Sequence, residues 1–203
     1  MHISEGVLGG PVLAAGAALT LAGLAVGLKK MDFDRLPQVA IMSAAFFVAS
    51  LVNVPIGPVK EHLILNGLLG LLLGWATFPA LFVALALQGV LFQFGGLTTL
   101  GVNTFNMALP GVLCYLLLGR LARNGGRRLP LLAGFLCGFL SVGGSALLVA
   151  MSLATAGEEF LVVARLVVVA HIPVMVIEGV VTASMVGFLR RVRPAMLGMV
   201  QQS

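Results

Sequence analysis

The chain has 203 residues, 60% of them hydrophobic and 9% charged, with a formal charge of +5 and a mean hydropathy of +1.11. That composition excludes a soluble domain and reads as an all-α polytopic membrane protein; no polar stretch is long enough to fold separately, so residues 1–203 form a single transmembrane domain. The positive charge does not mark a nucleic-acid surface, because Lys and Arg sit in short clusters between apolar runs.

The chain opens with Met1-His2-Ile3-Ser4-Glu5-Gly6-Val7-Leu8. No basic n-region or small-residue cleavage site precedes the first apolar run, so Met1 is expected to be retained with a free amine. Met1 and His2 then carry three nitrogens suited to one metal: the α-amine, the His2 amide and His2 Nδ1. Amine and amide close a five-membered chelate ring, and amide and imidazole close a six-membered one. Three in-plane nitrogens with one vacancy suit Ni(II), Cu(II) or low-spin cobalt. Taken alone, His2 reads equally as an ordinary second residue on a frayed terminus.

Seven apolar segments follow, at about 9–28, 36–54, 62–75, 79–94, 103–119, 129–153 and 160–189, the last interrupted by Pro173. A spanning helix needs about 20 apolar residues. The third segment falls short, which predicts a helix starting below the membrane surface after a buried irregular loop. Lys29, Lys30, Arg35, Arg120, Arg123, Arg127, Arg128, Arg190, Arg191 and Arg193 fall on one face of a seven-helix bundle. That face is expected to be cytoplasmic, with the N-terminus outside and the C-terminus inside. Small residues recur four apart at Ala40/Ala44, Ala45/Ala49, Gly70/Gly74 and Gly134/Gly138, permitting close helix approach. Cys114 and Cys137 lie in separate apolar runs and read as buried small hydrophobes.

His62 heads the third apolar segment, with Asn66 one turn on and able to orient the imidazole or the terminal loop. It is either a hydrogen-bonded structural histidine or the fourth in-plane nitrogen that the Met1-His2 dipeptide lacks. Gly95, Gly96 and Gly101 with Thr98, Thr99 and Asn103 form a polar loop, read either as a simple turn or as a lid over the metal. His171 and Glu178 lie seven apart on the last helix and read as structural support or as functional intramembrane groups. Capture through imidazoles is expected to fail as the pH drops through about 6.5. There is no G-x-x-x-x-G-K-[ST], so the chain is not expected to hydrolyse ATP.

Met-His followed by Glu5-Gly6, the run Ile56-Gly57-Pro58 with His62 and Asn66-Gly67-Leu68-Leu69-Gly70, the loop Gly95–Thr104, and His171-Ile172-Pro173 with Glu178-Gly179 together resemble the CbiM/NikM family. These are the substrate-capture membrane subunits of energy-coupling-factor importers for cobalt and nickel. The resemblance implies a seven-helix fold with the N-terminus threaded into the bundle. It implies Ni2+ or Co2+ as transported substrate, held by Met1, His2 and His62, with cobalamin biosynthesis as one use. It also implies a prokaryotic cell membrane and, as partners, an ATPase pair, a transmembrane coupling subunit and in some systems a small accessory membrane subunit. The family often carries small hydroxyl residues where this chain has Lys60-Glu61. Two other readings compete: an intramembrane metalloenzyme using His2, His62 and His171, and a small ion channel. Nickel and cobalt both accept four nitrogens.

Overall fold

A computed structural model describes residues 2–56, 59–123, 126 and 128–198, with the backbone alone at 53–56 and 59–61. Met1, Gly57, Pro58, Arg127 and the side chains of Lys60 and Glu61 lie outside the described residues.

Helix α1 (Gly10–Lys30) starts on Pro11, whose fixed φ suits a first turn, and ends on Lys29 and Lys30, which favour the negative end of the helix dipole. Helix α2 (Leu36–Ala49) is followed by an antiparallel hairpin, β1 (Asn53–Ile56) and β2 (Val59–His62), in register from Asn53↔His62 to Ile56↔Val59. Then come α3 (Asn66–Leu73), a 3-10 turn (Gly74–Ala76), α4 (Thr77–Phe92), α5 (Leu100–Arg123), α6 (Arg128–Ala154), α7 (Phe160–Val192) and a 3-10 turn at Pro194–Leu197.

Five stretches among the described residues are long and apolar enough to cross a membrane: Gly10–Lys30, Asn66–Phe92, Leu100–Arg123, Arg128–Ala154 and Phe160–Val192. The second of these is not one straight helix. His62 before it and Gln88 near its end both touch His2, so the chain doubles back at Gly74, which has φ +57. Three expectations are corrected. The second helix ends at Ala49, not Val54; His62 stands on β2 instead of opening the third helix; and α7 runs unbroken through Pro173.

The surface is apolar and the interior partly polar. Leu21, Val90, Leu117, Leu147 and Val162 are exposed, whereas Asn66, Gln88, Ser141 and Glu178 are fully buried. Water would reverse that distribution; lipid accepts it. The α3 helix, about 12 Å long, lies at the centre, buried along nearly its whole length. Asn66 at its head donates to the Met107 carbonyl, the Ser141 carbonyl and Ser145 Oγ, and accepts from Ser141 Oγ. It therefore ties α3 to α5 and α6, and does not orient His62 as its sequence spacing predicts. At the other end of α3, Arg35 donates to the carbonyls of Leu72 and Met196, and Arg123 donates to that of Leu197. The basic clusters thus gather at the end of the bundle opposite His2.

Close approach explains the glycines of α3. A Cβ on Gly70 would lie 2.1 Å from the Gly111 carbonyl oxygen, and one on Gly67 2.5 Å from that of Cys137. These are backbone atoms that cannot swing aside, so Gly70→Leu is expected to destabilise the bundle by at least the ~1–3 kcal/mol of ordinary overpacking. Gly10→Ala, facing open space, should leave the melting temperature in detergent unchanged. Equal melting of the two variants would contradict the close α3–α5 crossing.

Candidate metal centre

The N-terminal segment folds into the bundle because its backbone finds partners there. Ile3 is 3% exposed, and the Asn103 side chain treats it as a neighbouring strand would. The Ile3 amide donates to Asn103 Oδ1 at 3.0 Å, and Asn103 Nδ2 donates to the Ile3 carbonyl at 3.1 Å. Asn103 Nδ2 also reaches Thr99 Oγ1, whose hydroxyl donates to the Gly96 carbonyl. Glu5 Oε1 accepts from the Thr98 amide, while the Thr98 side chain stays exposed. Gly95 (φ +79) lies against His2 Cβ, where a side chain would meet Asn103 Nδ2 at 2.9 Å. The loop between α4 and α5 is thus a cradle for residues 2–5.

His62 arrives from the other side, on the last residue of β2. The chain then passes Ile64 to Leu65, which adopts the left-handed conformation (φ +51) before α3 begins. That strained entrance leaves two amides pointing into the bundle, and Glu178 Oε1 accepts from both Ile64 and Leu65. Glu178 therefore supports the segment that carries His62. His62 Nδ1 donates to the Leu63 carbonyl at 3.0 Å, since a carbonyl can only accept, which makes Nε2 the bare nitrogen. That nitrogen lies 3.3 Å from His2 Nδ1, with ring centroids 5.0 Å apart. Two nitrogens each about 2 Å from a shared metal would stand about 2.8 Å apart when adjacent and about 4 Å when opposite. The observed separation falls between.

His2 Nε2 pairs with Gln88 Oε1 at 2.8 Å, and Gln88 Nε2 donates to Ser50 Oγ at 2.6 Å. The sequence reading above missed both residues. A lone amide inside Ala84-Leu85-Ala86-Leu87-Gln88 was the available signal, because buried polar groups in membrane helices need a partner. His171 is buried, donates from Nδ1 to the Val167 carbonyl, and shares with His2, Ile3 and Phe160 a cavity of about 290 Å³. Among the described residues no three His, Cys, Asp or Glu side chains gather as a metal site, so the His2/His62/His171 set of the metalloenzyme reading is not assembled.

Burial, reinforced by the positive charge of the chain's amine and opposed by the Gln88 hydrogen bond, lowers the His2 imidazole from 6.5 to about 4. The undocked segment takes its proton near 6.5, so between those values it binds more protons than the docked one. Docking is at full strength above about pH 6.5 and is lost as the pH falls towards 4. In the metal-free protein, hydrogen-exchange protection of the Ile3 amide should therefore be level above about pH 6.5 and drop up to about tenfold per unit below it. Protection independent of pH down to 4 would contradict this.

Residues 2–196 match the family described as "Cobalt uptake substrate-specific transmembrane region". The chain is 43% identical over 199 residues to a "Putative metal transport protein" of Haemophilus influenzae, covering 97% of each. It is 34% identical to "Cobalt transport protein CbiM" of Sorangium cellulosum, covering 99% of this chain and 96% of that one. It is 33% identical to "Fused nickel transport protein NikMN" of Rhodobacter capsulatus, covering 97% of this chain but 64% of that longer protein. A crystal structure of a transition metal transporter superposes with TM-score 0.79 at 30% identity, covering 95% of this chain and 93% of the other. Its apolar helices and these relatives make the protein a multi-pass component of the cell membrane. The chain belongs to the CbiM family of cobalt-uptake transmembrane proteins.

Proposed function

We propose that this chain is the substrate-capture subunit of an energy-coupling-factor importer for Ni2+ or Co2+. The ion is held by the Met1 amine, the His2 amide, His2 Nδ1 and His62 Nε2. The observation that carries this reading is the approach of His2 Nδ1 to His62 Nε2 at 3.3 Å, inside a bundle where the terminal segment is clamped by Asn103. Two imidazoles from opposite ends of the fold meet there, each with its far nitrogen engaged elsewhere. Three or four nitrogens in one plane suit Ni2+ and Co2+ better than Mg2+ or Ca2+, which prefer oxygen. Thr98, Thr99 and Asn103 act as the lid, Glu178 supports the His62 segment, and Asn66 anchors α3. His171 borders the neighbouring cavity and acts on the site from outside the ligand set.

The reading takes seven membrane passes, with α3 as a short one completed by the hairpin before it. The basic end faces the cytoplasm, which places the histidines toward the outside. Energy comes from an ATPase pair working through a transmembrane coupling subunit. That subunit docks on an open apolar groove of about 430 Å³ lined by Ala40, Ala44, Phe47, Pro79, Val83 and Leu87. Ala40 and Ala44 are exposed there, whereas Gly70, Gly134 and Gly138 are spent on internal crossings. Relatives named as fused NikMN proteins extend well beyond this chain, which supports a small accessory membrane component.

Two measurements test the reading. In Ni(II) and Co(II) titrations of the purified protein, one residue added before Met1 should abolish capture. His62→Ala should weaken it well beyond the ~10–100-fold typical of outer-shell changes and move the Ni(II) d–d band to longer wavelength. Undiminished affinity in either variant removes the proposed ligand set. Separately, Ala44→Trp should prevent co-purification with the ATPases and coupling subunit while leaving metal affinity within about twofold. Intact assembly would place the docking surface elsewhere.

A further inference from the structure

His2 has two ways to sit between its neighbours. In one, Nδ1 carries the proton and donates to His62 Nε2, while Nε2 accepts from an amide nitrogen. In the other, Nε2 carries the proton and donates to an amide oxygen, leaving Nδ1 bare. The first gives the imidazole two hydrogen bonds and the second gives it one, with Nδ1 facing the unprotonated His62 Nε2 at 3.3 Å. They are opposite in chemistry, because Nδ1 closes the six-membered chelate ring and must be unprotonated to do so.

The choice is made three residues away from the metal centre, at the end of α2. The last four carbonyls of a helix need partners from outside its own ladder. Those of Phe46, Val48 and Ala49 receive the amides of Ser50, Leu51 and Val52, and that of Phe47 receives the Ser50 hydroxyl at 2.7 Å. With its proton committed to Phe47, Ser50 Oγ can only accept from the next group, and Gln88 Nε2 supplies that donor at 2.6 Å. Turning the Gln88 amide over would set two acceptor oxygens 2.6 Å apart with no proton between them. Gln88 Oε1 therefore faces His2, and Nε2 of the imidazole must donate to it. Gln88 and Ser50 are both fully buried, so water does not offer either amide end an alternative partner.

We propose that Gln88 is a positioning residue which, with its orientation set by the Phe47–Ser50 hydrogen bond, holds His2 as the Nε2-protonated tautomer and presents Nδ1 bare toward His62. It touches no metal; it acts through the imidazole. The inference rests on the reading of His2 as a ligand, and it deepens that reading by naming what makes the ligand competent before any ion arrives. Position 88 must both accept from His2 and donate to Ser50, which an amide or a protonated carboxyl can do and an apolar residue cannot.

The test is 15N NMR of the full-length, metal-free protein labelled at histidine, in detergent at about pH 7, with His2→Ala used to assign the His2 signals. The wild type should show His2 in a single Nε2-protonated state. Gln88→Leu removes the acceptor and Ser50→Ala frees the amide to turn, so both should give mixed tautomers. Gln88→Glu, neutral at its buried carboxyl, keeps an acceptor for His2 and a donor for Ser50 and should restore the wild-type pattern. Ni(II) affinity should fall about 10–100-fold in Gln88→Leu and stay near wild type in Gln88→Glu. A merely structural role would not move the tautomer, and Ser50→Ala, the mildest change, keeps the test open should Gln88→Leu fold poorly. An Nδ1-protonated or mixed wild type, or a pattern unmoved by Ser50→Ala and Gln88→Leu, overturns the inference. The expected tautomer pattern in a protein that captures neither ion upholds the role of Gln88 and rejects His2 as a metal ligand.

Discussion

The structure depends on satisfying a chain end inside an apolar bundle. An extended segment has no helix or sheet of its own to absorb its amides and carbonyls, and inside an apolar bundle water does not do so either. Asn103 resolves this with one side chain, which presents an oxygen and an amide to both polar groups of Ile3. Everything near the centre is arranged around that pairing. Gly95 keeps the space beside His2 open, and Gly101 lets α5 come within backbone contact of Ala17 on α1. Bulk at either position would force the segment outward.

The second half of the centre solves the same problem with a carboxylate. Between β2 and α3 the chain takes a left-handed turn at Leu65, a residue type that rarely adopts it. Glu178, reaching from α7, accepts from the amides of Ile64 and Leu65 and so holds the turn in place. The short α3 is then fixed at its head by Asn66 and at its foot by Arg35. The histidine from the terminal segment and the one from β2 thus meet between two independent anchors, on α5 and α7.

Much of this was legible in the sequence, and the limits are physical. The apolar runs and clustered charges separate membrane helices from soluble ones whatever the packing, because each run reports its own solvent. The short third segment signalled a buried irregular approach, and one is present before Asn66. What periodicity could not reveal is where a helix begins when both alternatives are apolar. His62 and Asn66 are four apart, which means a shared face on a helix but nothing once a hairpin and a left-handed turn intervene. Asn66 consequently points to α5 and α6. Gln88 and Ser50 escaped for a related reason. They sit on different helices, and their relation to His2 exists only after α2 and α4 have packed together. Asn103 was legible as a member of the polar loop, but its grip on the Ile3 backbone was not, since backbone partners leave no trace in residue type.

The hydrogen bond from Ser50 to the Phe47 carbonyl has a mechanical side. Phe47 lines the open groove on the outer surface of α2, and Ser50 stands one turn beyond it, joined through Gln88 to His2. Helix α2 is therefore a lever with one arm at the membrane-facing groove and the other at an imidazole. Its fourteen residues form a rigid rod, and the contact at its tip is short-ranged. A tilt that carries Ser50 about 1 Å away stretches a 2.6 Å bond beyond hydrogen-bonding distance. A displacement of α2 at that groove would reach His2 through Ser50 and Gln88, whereas the anchors on α5 and α7 belong to other helices.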